Sequence, residues 1–324
     1  MKHAFTPSEM KTILHSKRAN LYYLQHCRVL VNGGRVEYVT DQGKESLYWN
    51  IPIANTTSIL LGTGTSVTQA AMRELAKAGV LVGFCGGGGT PLFSGNEVEV
   101  DVAWLTPQSE YRPTEYLQQW VSFWFDDHKR LEAAKQFQLA RLAMIKKHWL
   151  SANIQKSFPV PNAQLIPILE RFERLLADCQ TSQEVLLLEA TTTKALYKLA
   201  CQAVSYGDFT RSERGNSSDT ANQFLDHGNY LAYGLGATAC WVIGLPHGLA
   251  ILHGKTRRGG LVFDVADIVK DALVLPQAFI SAMAGDDEQE FRQHCLNQLR
   301  AGNALDVMID TLQATAEQCS EKIE

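Results

Sequence analysis

The sequence lacks the features that would place it among disulfide-rich, zinc-binding or membrane-spanning proteins. Its 324 residues include seven cysteines, and no two of them form a CxxC pair. An odd, dispersed set of cysteines predicts reduced thiols in a cytoplasm rather than a disulfide framework. The most apolar run, residues 234–252, is interrupted by Pro246 and His247, so it predicts buried helices and not a membrane span. The residues after Met1 show no signal-peptide pattern, which also favours a cytoplasmic protein.

Charge is neither abundant nor evenly distributed. The formal net charge is −4, which argues against a uniformly basic, nucleic-acid-binding surface. Residues 264–324 carry 4 basic and 12 acidic residues, net −8, and the remaining 26 basic and 22 acidic residues give +4 for residues 1–263. The acidic excess therefore lies in the carboxy-terminal fifth of the chain, and a locally basic surface elsewhere stays open.

The first third of the chain has the pattern of a β-rich domain. Runs of β-branched and aromatic residues are separated by Asn32-Gly33-Gly34 and Asp41-Gln42-Gly43, which are typical of hairpin turns. The predicted elements are strands over 27–31, 35–40, 45–51, 57–61 and 80–85, with a helix over 65–78 before the last strand. No GK[ST] follows the glycines at 86–89, so we interpret them as a turn rather than a phosphate cradle.

A helical pattern begins after Thr114. Residues 115–150 have the pattern of one long helix, and Tyr116, Trp120 and Trp124 recur in it at i, i+4 and i+8. We interpret this aromatic stripe as core packing rather than a platform for stacking bases. Nearly all of the remaining sequence is also predicted to be helical. The predicted fold class is therefore α+β, with a small β-rich amino-terminal domain, residues 1–105, and a larger all-α domain, residues 106–324.

An apolar segment ending in a histidine is the first part of a candidate site. Pro246 fits the first turn of a helix that continues to His253, and Gly254 follows where a helix C-terminus favours glycine. A short basic loop comes next. A histidine at this position is also stabilised by the helix dipole, so the pattern alone leaves open whether His253 is a ligand.

Three aspartates follow that loop. Asp264, Asp267 and Asp271 are spaced i, i+3 and i+7, so a helix would carry all three carboxylates on one face, opposite an apolar face. Like charges with this spacing destabilise an isolated helix by about 0.2–0.5 kcal/mol per pair. A hard divalent cation with carboxylate and imidazole ligands would relieve the repulsion. An ordinary solvated acidic face is the alternative.

Glu189 lies in the middle of an apolar run, VLLLEATTTKALYKLA. Its predicted helical face also carries Val185, Leu186 and Leu196. A carboxylate is costly to bury there unless it is paired or binds a cation. An edge position that reaches solvent is the alternative. Together with His253 and the aspartates, Glu189 completes a candidate metal site.

Residues 206–220 are polar and predict a loop. Arg211 and Arg214 are its only cations, and Asp219 is a predicted N-cap for the next helix. Such a loop often does no more than connect two helices. Two arginines beside a metal site would also suit a phosphate backbone.

The order of these residues resembles that of a known family. The order is Glu189 in LLLEATTTKALY, then Arg214, Asp219-x-x-Asn222, His253, and finally Asp264 and Asp267 in FDVADIVK. It is similar to the CRISPR-associated adaptation integrase, the larger of the two core proteins that insert new spacers. The resemblance covers the whole chain, and PHGLAILHGKTRRGG is most similar to the subtype I-F branch. The family often has two prolines after the loop arginine where this chain has Ser217-Ser218, which leaves the path of the loop open.

The resemblance implies a site and a reaction. Glu189, His253 and Asp267 would be the metal ligands, with Asp264 a further acidic member of the catalytic site, and the ion would be Mg²⁺ or Mn²⁺. The implied reaction is a transesterification in which a DNA 3′-hydroxyl attacks a phosphodiester at the leader–repeat junction. Water as the nucleophile would give an endonuclease activity from the same site.

The resemblance also implies partners. The substrates would be protospacer DNA and the CRISPR leader–repeat. Homodimers would form largely through the β-rich domain and flank a dimer of the small second adaptation protein, which is fused to a helicase-nuclease in subtype I-F. No membrane partner is expected. The candidates for contacts with DNA phosphates are the basic residues of two loops, Arg211, Arg214, Lys255, Arg257 and Arg258.

Two other function classes stay open on the residues alone. A non-catalytic DNA-binding scaffold subunit of the same kind of complex would have a similar architecture, but it would leave Glu189 buried without a reason. An all-helical metal-dependent phosphohydrolase of the kind with a His-Asp dipeptide is disfavoured, because the sequence contains no such dipeptide.

Overall fold

The chain forms two compact units, Met1–Arg112 and Pro113–Glu324. The computed structural model describes residue 18 and residues 20–42, 45–85, 102–105, 113–212, 219–254 and 259–320. The first unit is rich in strands and the second is helical, which confirms the predicted α+β fold class. The predicted boundary, between residues 105 and 106, lies at the end of the last described strand rather than at Arg112.

The first unit contains two four-stranded sheets. Its elements are β1 (Asn20–Leu24), β2 (Arg28–Asn32), β3 (Arg35–Gln42), β4 (Glu45–Asn50), β5 (Thr56–Leu61), β6 (Ser66–Val67), α1 (Gln69–Lys77), β7 (Leu81–Cys85) and β8 (Val102–Leu105). In one sheet β1, β5 and β7 are parallel and β8 is antiparallel to β7. In the other, β2, β3 and β4 are antiparallel and β6 pairs in parallel with β2.

Short-range sequence patterns predict most of the strands and turns of this unit. Gly33 and Gly34 have positive φ in the turn between β2 and β3, as the hairpin prediction requires. All five predicted strands are confirmed to within a residue or two. Strands β1, β6 and β8 were not predicted, and α1 starts later than expected because residues 66–67 pair with β2 and Thr68 caps the helix. The predicted turn at residues 86–89 lies outside the described residues.

The second unit is built from helices. They are α2 (Glu115–Trp124), α3 (Asp127–Trp149), α4 (Asn162–Asp178), α5 (Ser182–Val204), α6 (Thr220–Val242), α7 (Gly260–Val269), α8 (Leu275–Ala284), α9 (Glu288–Ala301) and α10 (Ala304–Cys319). A π-helical turn, Lys270–Val274, connects α7 to α8. None of the helices in the described ranges is both long and apolar enough to cross a bilayer.

The predicted single helix over residues 115–150 is wrong because the helix is interrupted at Asp126. The carboxylate of Asp126 accepts hydrogen bonds from the N–H groups of His128 and Lys129, which caps the start of α3. Of the aromatic stripe, Trp120 packs in the core as predicted, whereas Tyr116 and Trp124 are half-buried. Trp120 is fully buried and contacts the ring of Phe137 at a centroid distance of 6.3 Å.

Helices α6 and α7 approach each other closely at Gly236. A Cβ atom placed on this glycine would lie 2.9 Å from the carbonyl oxygen of Val262 in α7. The neighbour is backbone and cannot rotate away as a side chain can. The contact therefore sets the distance between α6 and the helix that carries Asp264 and Asp267.

We predict that Gly236→Ala lowers the free energy of unfolding. Alanine normally stabilises a helix by about 0.5–1 kcal/mol relative to glycine, but here the added methyl group forces α6 and α7 apart, and such overpacking costs about 1–3 kcal/mol. Urea unfolding measures the difference. Gly248→Ala is the control, because a Cβ at that position meets no heavy atom within 4 Å. Equal stability of the two variants would contradict the prediction.

Candidate functional site

The helix that carries the aspartates is buried on every side. All residues of α7 are buried, and Asp264 and Asp267 are only 3% and 4% exposed. The alternative of a solvated acidic face is therefore wrong. Asp271 lies in the π turn that follows α7. Its carboxylate pairs instead with Arg141 of α3.

The predicted helix over residues 246–253 is also wrong, since turns and bends occupy this segment. Side chains of α2 donate hydrogen bonds to backbone carbonyl groups of this segment. Nε1 of Trp120 donates to the carbonyl of Leu249 at 3.0 Å, and Nε1 of Trp124 donates to the carbonyl of Ala250 at 2.7 Å. Two members of the aromatic stripe thus fix the irregular segment that leads to the histidine.

Asp264 holds the next three residues. Its Oδ2 accepts hydrogen bonds from the N–H groups of Ile251 at 2.7 Å and Leu252 at 3.2 Å. Its Oδ1 accepts from the N–H group of His253 at 3.0 Å and lies 2.7 Å from Nδ1 of the same residue. Both oxygens are therefore in use. The structure places Asp264 as a positioning residue for His253 and not as a metal ligand.

The imidazole of His253 lies between two aspartates. Nδ1 faces Asp264, while Nε2 is 3.5 Å from Oδ2 of Asp267. Burial would lower the pKa of His253, but the charge of Asp267 and the hydrogen bond and charge of Asp264 outweigh it, so the pKa is raised. With Nδ1–H donated to Asp264, the neutral ring presents the Nε2 lone pair toward Asp267.

Asp267 is buried beside a lysine. Its Oδ1 forms an ion pair with Nζ of Lys270, one turn further along the chain. Neither of its oxygens accepts a hydrogen bond of normal geometry from a described group. Burial opposes ionisation, but the positive charges of Lys270 and His253 outweigh it and lower the pKa of Asp267. Asp267 is therefore an ionised, under-coordinated carboxylate in the interior of the protein.

Glu189 reaches the same cluster from α5. Nε2 of Gln138 donates to its Oε2 at 3.3 Å. Burial, followed by the charge of Asp267, raises the pKa of Glu189 to about 7, although Arg141 and His253 oppose the shift. Asp267 and His253 both influence the ionisation of Glu189, so the three predicted ligands lie in one cluster. Their role as metal ligands stays a prediction.

The donor atoms of Glu189, His253 and Asp267 are of the kinds that bind a divalent ion, although the charge of Lys270 neutralises the charge of Asp267. Among the described residues, no three His, Cys, Asp or Glu side chains form a ready ligand set as they are placed. Two carboxylates and one imidazole are nevertheless a donor set that Mg²⁺ and Mn²⁺ accept. The 3.5 Å between His253 Nε2 and Asp267 Oδ2 is less than two metal–ligand bonds of about 2.1 Å each. Lys270 pairs with Oδ1 of Asp267, whereas Oδ2 is the oxygen that faces the imidazole.

A cavity of about 660 Å³ opens beside His253. The beginnings of α3 and α5 line it, together with the irregular segment fixed by the two tryptophans; its lining includes Asp127, Arg130, Thr181, Ser182 and Leu252. Arg130 supplies positive charge there, while its guanidinium also contacts Asp127 and the carbonyl of Trp124. His253 lines this cavity, whereas Glu189 and Asp267 do not.

Of the five predicted DNA-binding residues, Arg211 is the one that lies within the described part of the chain. Arg211 forms an ion pair with Asp226 and donates to the side chain of Asn222 at 2.8 Å, contacts that support α6; its assignment to DNA phosphates stays a prediction. The predicted N-cap is confirmed, because Asp219 accepts from the N–H group of Asn222. The other candidate cations, Arg214, Lys255, Arg257 and Arg258, lie outside the described residues.

Three residues of the cluster were missed from the sequence: Gln138, Arg141 and Lys270. Lys270 follows Asp267 at i+3, which is a usable local signal for an ion pair. Arg141 and Gln138 precede Glu189 by 48 and 51 residues in the sequence, and no local pattern connects them to it.

A β-rich unit followed by a helical unit with a buried Glu–His–Asp cluster defines the class of this protein. The profile described as CRISPR associated protein Cas1 matches residues 21–282, and the chain belongs to this family. The CRISPR-associated endonuclease Cas1 of Pectobacterium atrosepticum is 67% identical over 325 residues, which cover 100% of both chains. The family recognised from the sequence, and its similarity to the subtype I-F branch, are confirmed.

Solved structures share the fold at low sequence identity. A TtCas1–DNA complex is 21% identical, with 94% of each chain covered and a TM-score of 0.65. A casposase bound to an integration product is 18% identical, with 86% of this chain and 82% of that chain covered and a TM-score of 0.62.

Without divalent ions, the free energy of unfolding is expected to fall as pH rises from about 5 to above 7. The pKa of Glu189 is raised to about 7 and the pKa of His253 is also raised. Such groups hold their protons more tightly in the folded state. Their stabilisation is therefore complete below the unfolded pKa values and is lost as pH rises through the folded ones. Urea unfolding at several pH values, with a chelator present, measures the slope.

Glu189→Gln should flatten this slope, because the amide does not titrate. Glu184→Gln, an exposed position on the same helix, is the matched control and should leave the profile unchanged. A profile for Glu189→Gln that runs parallel to wild type would show that Glu189 does not titrate in this range.

Proposed function

We propose that this protein is a metal-dependent DNA endonuclease and integrase that inserts new spacer DNA into a CRISPR array by transesterification, as part of antiviral defence. The observation that carries the proposal is the position of His253, held at Nδ1 by Asp264 with Nε2 facing Asp267, together with Glu189 in the same buried cluster. Membership of the Cas1 family supports it. So does the shared fold with a casposase bound to an integration product.

Glu189, His253 and Asp267 would hold the ion, Mg²⁺ or Mn²⁺. The ion, when bound, activates the attacking oxygen and neutralises charge on the phosphate. Asp264 keeps the proton of His253 on Nδ1, so that Nε2 is available as a ligand. The cavity beside His253 admits the DNA strand, with a 3′-hydroxyl as nucleophile for joining and water for cleavage.

The proposed partners follow from family membership. They are protospacer DNA, the CRISPR leader–repeat, a second copy of the chain, and the small second adaptation protein fused to a helicase-nuclease, all in the cytoplasm. The β-rich unit has a feature that suits homodimerisation. Strand β4 lies at a sheet edge, where Tyr48 and Trp49 are 57% and 50% exposed, and such apolar edges favour pairing with another chain.

We predict that Mn²⁺-dependent cleavage and joining fall by more than about 100-fold in each of three variants, Glu189→Gln, His253→Ala and Asp267→Asn. Loss of a residue that only supports a ligand costs up to about 100-fold, so loss of a ligand itself should cost more. The measurement uses branched and half-site DNA with purified protein. His294→Ala, which changes an exposed histidine paired with Asp286, is the control.

Wild-type turnover by one of these variants would remove that residue from the ligand set. Wild-type turnover by all three would exclude the proposed centre. If the wild-type protein itself neither cleaves nor joins DNA but binds it, the non-catalytic scaffold function is the better account.

We also predict that Arg257→Ser with Arg258→Ser flattens the salt dependence of DNA affinity by about 2 log units per log unit of salt, because each phosphate contact contributes about 0.9. Sequence preference should not change. Arg171→Ser with Arg174→Ser removes the same charge from the exposed face of α4 and serves as the control. An unchanged slope with altered sequence preference would mean that Arg257 and Arg258 read bases.

A further inference from the structure

A buried arginine lies behind Glu189. Arg141, in the middle of α3, is 1% exposed, so its guanidinium needs acceptors for its donors. Nη1 donates to Oε1 of Gln138 at 2.9 Å, and Nη2 donates to Oγ1 of Thr193 at 2.8 Å. Nε donates to Oδ2 of Asp271 at 2.9 Å, and the same carboxylate forms an ion pair with Nη2.

Arg141 fixes the orientation of the Gln138 amide. A guanidinium has only donors, so the group that Gln138 turns toward it must be the amide oxygen. The NH₂ group of Gln138 then faces Glu189 and donates to Oε2 at 3.3 Å. A flipped amide would bring N–H against N–H at one end and oxygen against a carboxylate at the other. Gln138 is 2% exposed, so water offers it little compensation.

The other end of this chain of contacts is anchored by the π turn. Asp271 lies in the turn Lys270–Val274, and its carbonyl accepts a hydrogen bond from Nε1 of Trp149 at 2.9 Å. Trp149 is fully buried. The carboxylate of Asp271 is thereby held against Arg141, and the order of contacts is Asp271, Arg141, Gln138 and Glu189.

We propose that Gln138 and Arg141 are positioning residues for the metal centre: Arg141 orients the amide of Gln138, and Gln138 holds the carboxylate of Glu189 in the orientation that binds the divalent ion. The inference rests on the proposed function, because it assumes that Glu189 is a ligand. Partners of this kind typically contribute 10–100-fold to metal affinity.

The test measures Mn²⁺ binding by electron paramagnetic resonance at one pH, without DNA, so that the readout does not depend on turnover. Gln138→Met removes the amide and keeps the length and burial of the side chain; we expect the Kd for Mn²⁺ to rise about 10-fold or more. Gln136→Met is the control. It makes the same change two residues away on α3, where Gln136 contacts Cys319 instead, and its Kd should stay within about two-fold of wild type.

Arg141→Lys keeps the charge and loses the fixed geometry of the guanidinium. We expect it to weaken Mn²⁺ binding as well. If the two residues act in series, Gln138→Met with Arg141→Lys should bind Mn²⁺ about as well as Gln138→Met alone. Additive losses would overturn the serial arrangement. If Gln138→Met does not unfold cooperatively, Gln138→Asn replaces it, since the shorter amide cannot reach both partners.

Glu189→Gln separates failure of the inference from failure of the proposed function. If Glu189→Gln binds Mn²⁺ like wild type, Glu189 is not a ligand and the proposed centre is wrong. If Glu189→Gln loses binding while Gln138→Met keeps it, the centre stands and the positioning role of Gln138 is overturned.

Discussion

The contacts of Asp264 are the interaction on which the rest of the site depends. An ionised carboxylate in a protein interior costs on the order of several kcal/mol unless donors surround it. Here the donors are three consecutive backbone N–H groups and an imidazole, all from residues 251–253. A helix ending at His253 would have spent those N–H groups on its own carbonyls. The irregular segment and the buried aspartate therefore require each other, and the position of His253 follows from both.

The buried charges near His253 do not balance. Glu189, Asp264 and Asp267 contribute three carboxylates, whereas Lys270 is the only permanent cation that pairs with any of them through its side chain in the described part of the cluster. Burial and the charge of Asp267 raise the pKa of Glu189, and the neighbouring carboxylates raise the pKa of His253, so protons offset part of the difference. A divalent ion would offset the negative charge more completely, and Glu189 and His253 would then lose these protons and be able to act as ligands. Burial and the excess of negative charge together thus explain the proton affinity of the cluster, and the excess charge suits it to a cation.

The features that were predicted correctly from the sequence are those that depend on residues close together in the chain. The hairpin glycines, the α+β division and the order of Glu189, His253 and Asp267 are all readable along the chain. The helix over 246–253 was wrong because its competing partners are remote: Trp120 and Leu249 are 129 residues apart. The break at Asp126 was missed because a single N-cap interrupted an otherwise continuous pattern. Gln138 and Arg141 carry no local signal, since a buried polar residue in a helix is recognisable only when its partners are known.

The three aspartates contact different partners. At i, i+3 and i+7 they would line one side of a regular helix, but Asp271 lies in the π turn after α7 and pairs with Arg141. The outer two aspartates then act on different segments. Asp264 fixes His253, whereas Asp271 holds Arg141 and, through Gln138, reaches Glu189. Asp267, between them, faces the imidazole with Oδ2, which accepts no hydrogen bond from a described group. One acidic run therefore supplies a candidate ligand together with the supports of two others.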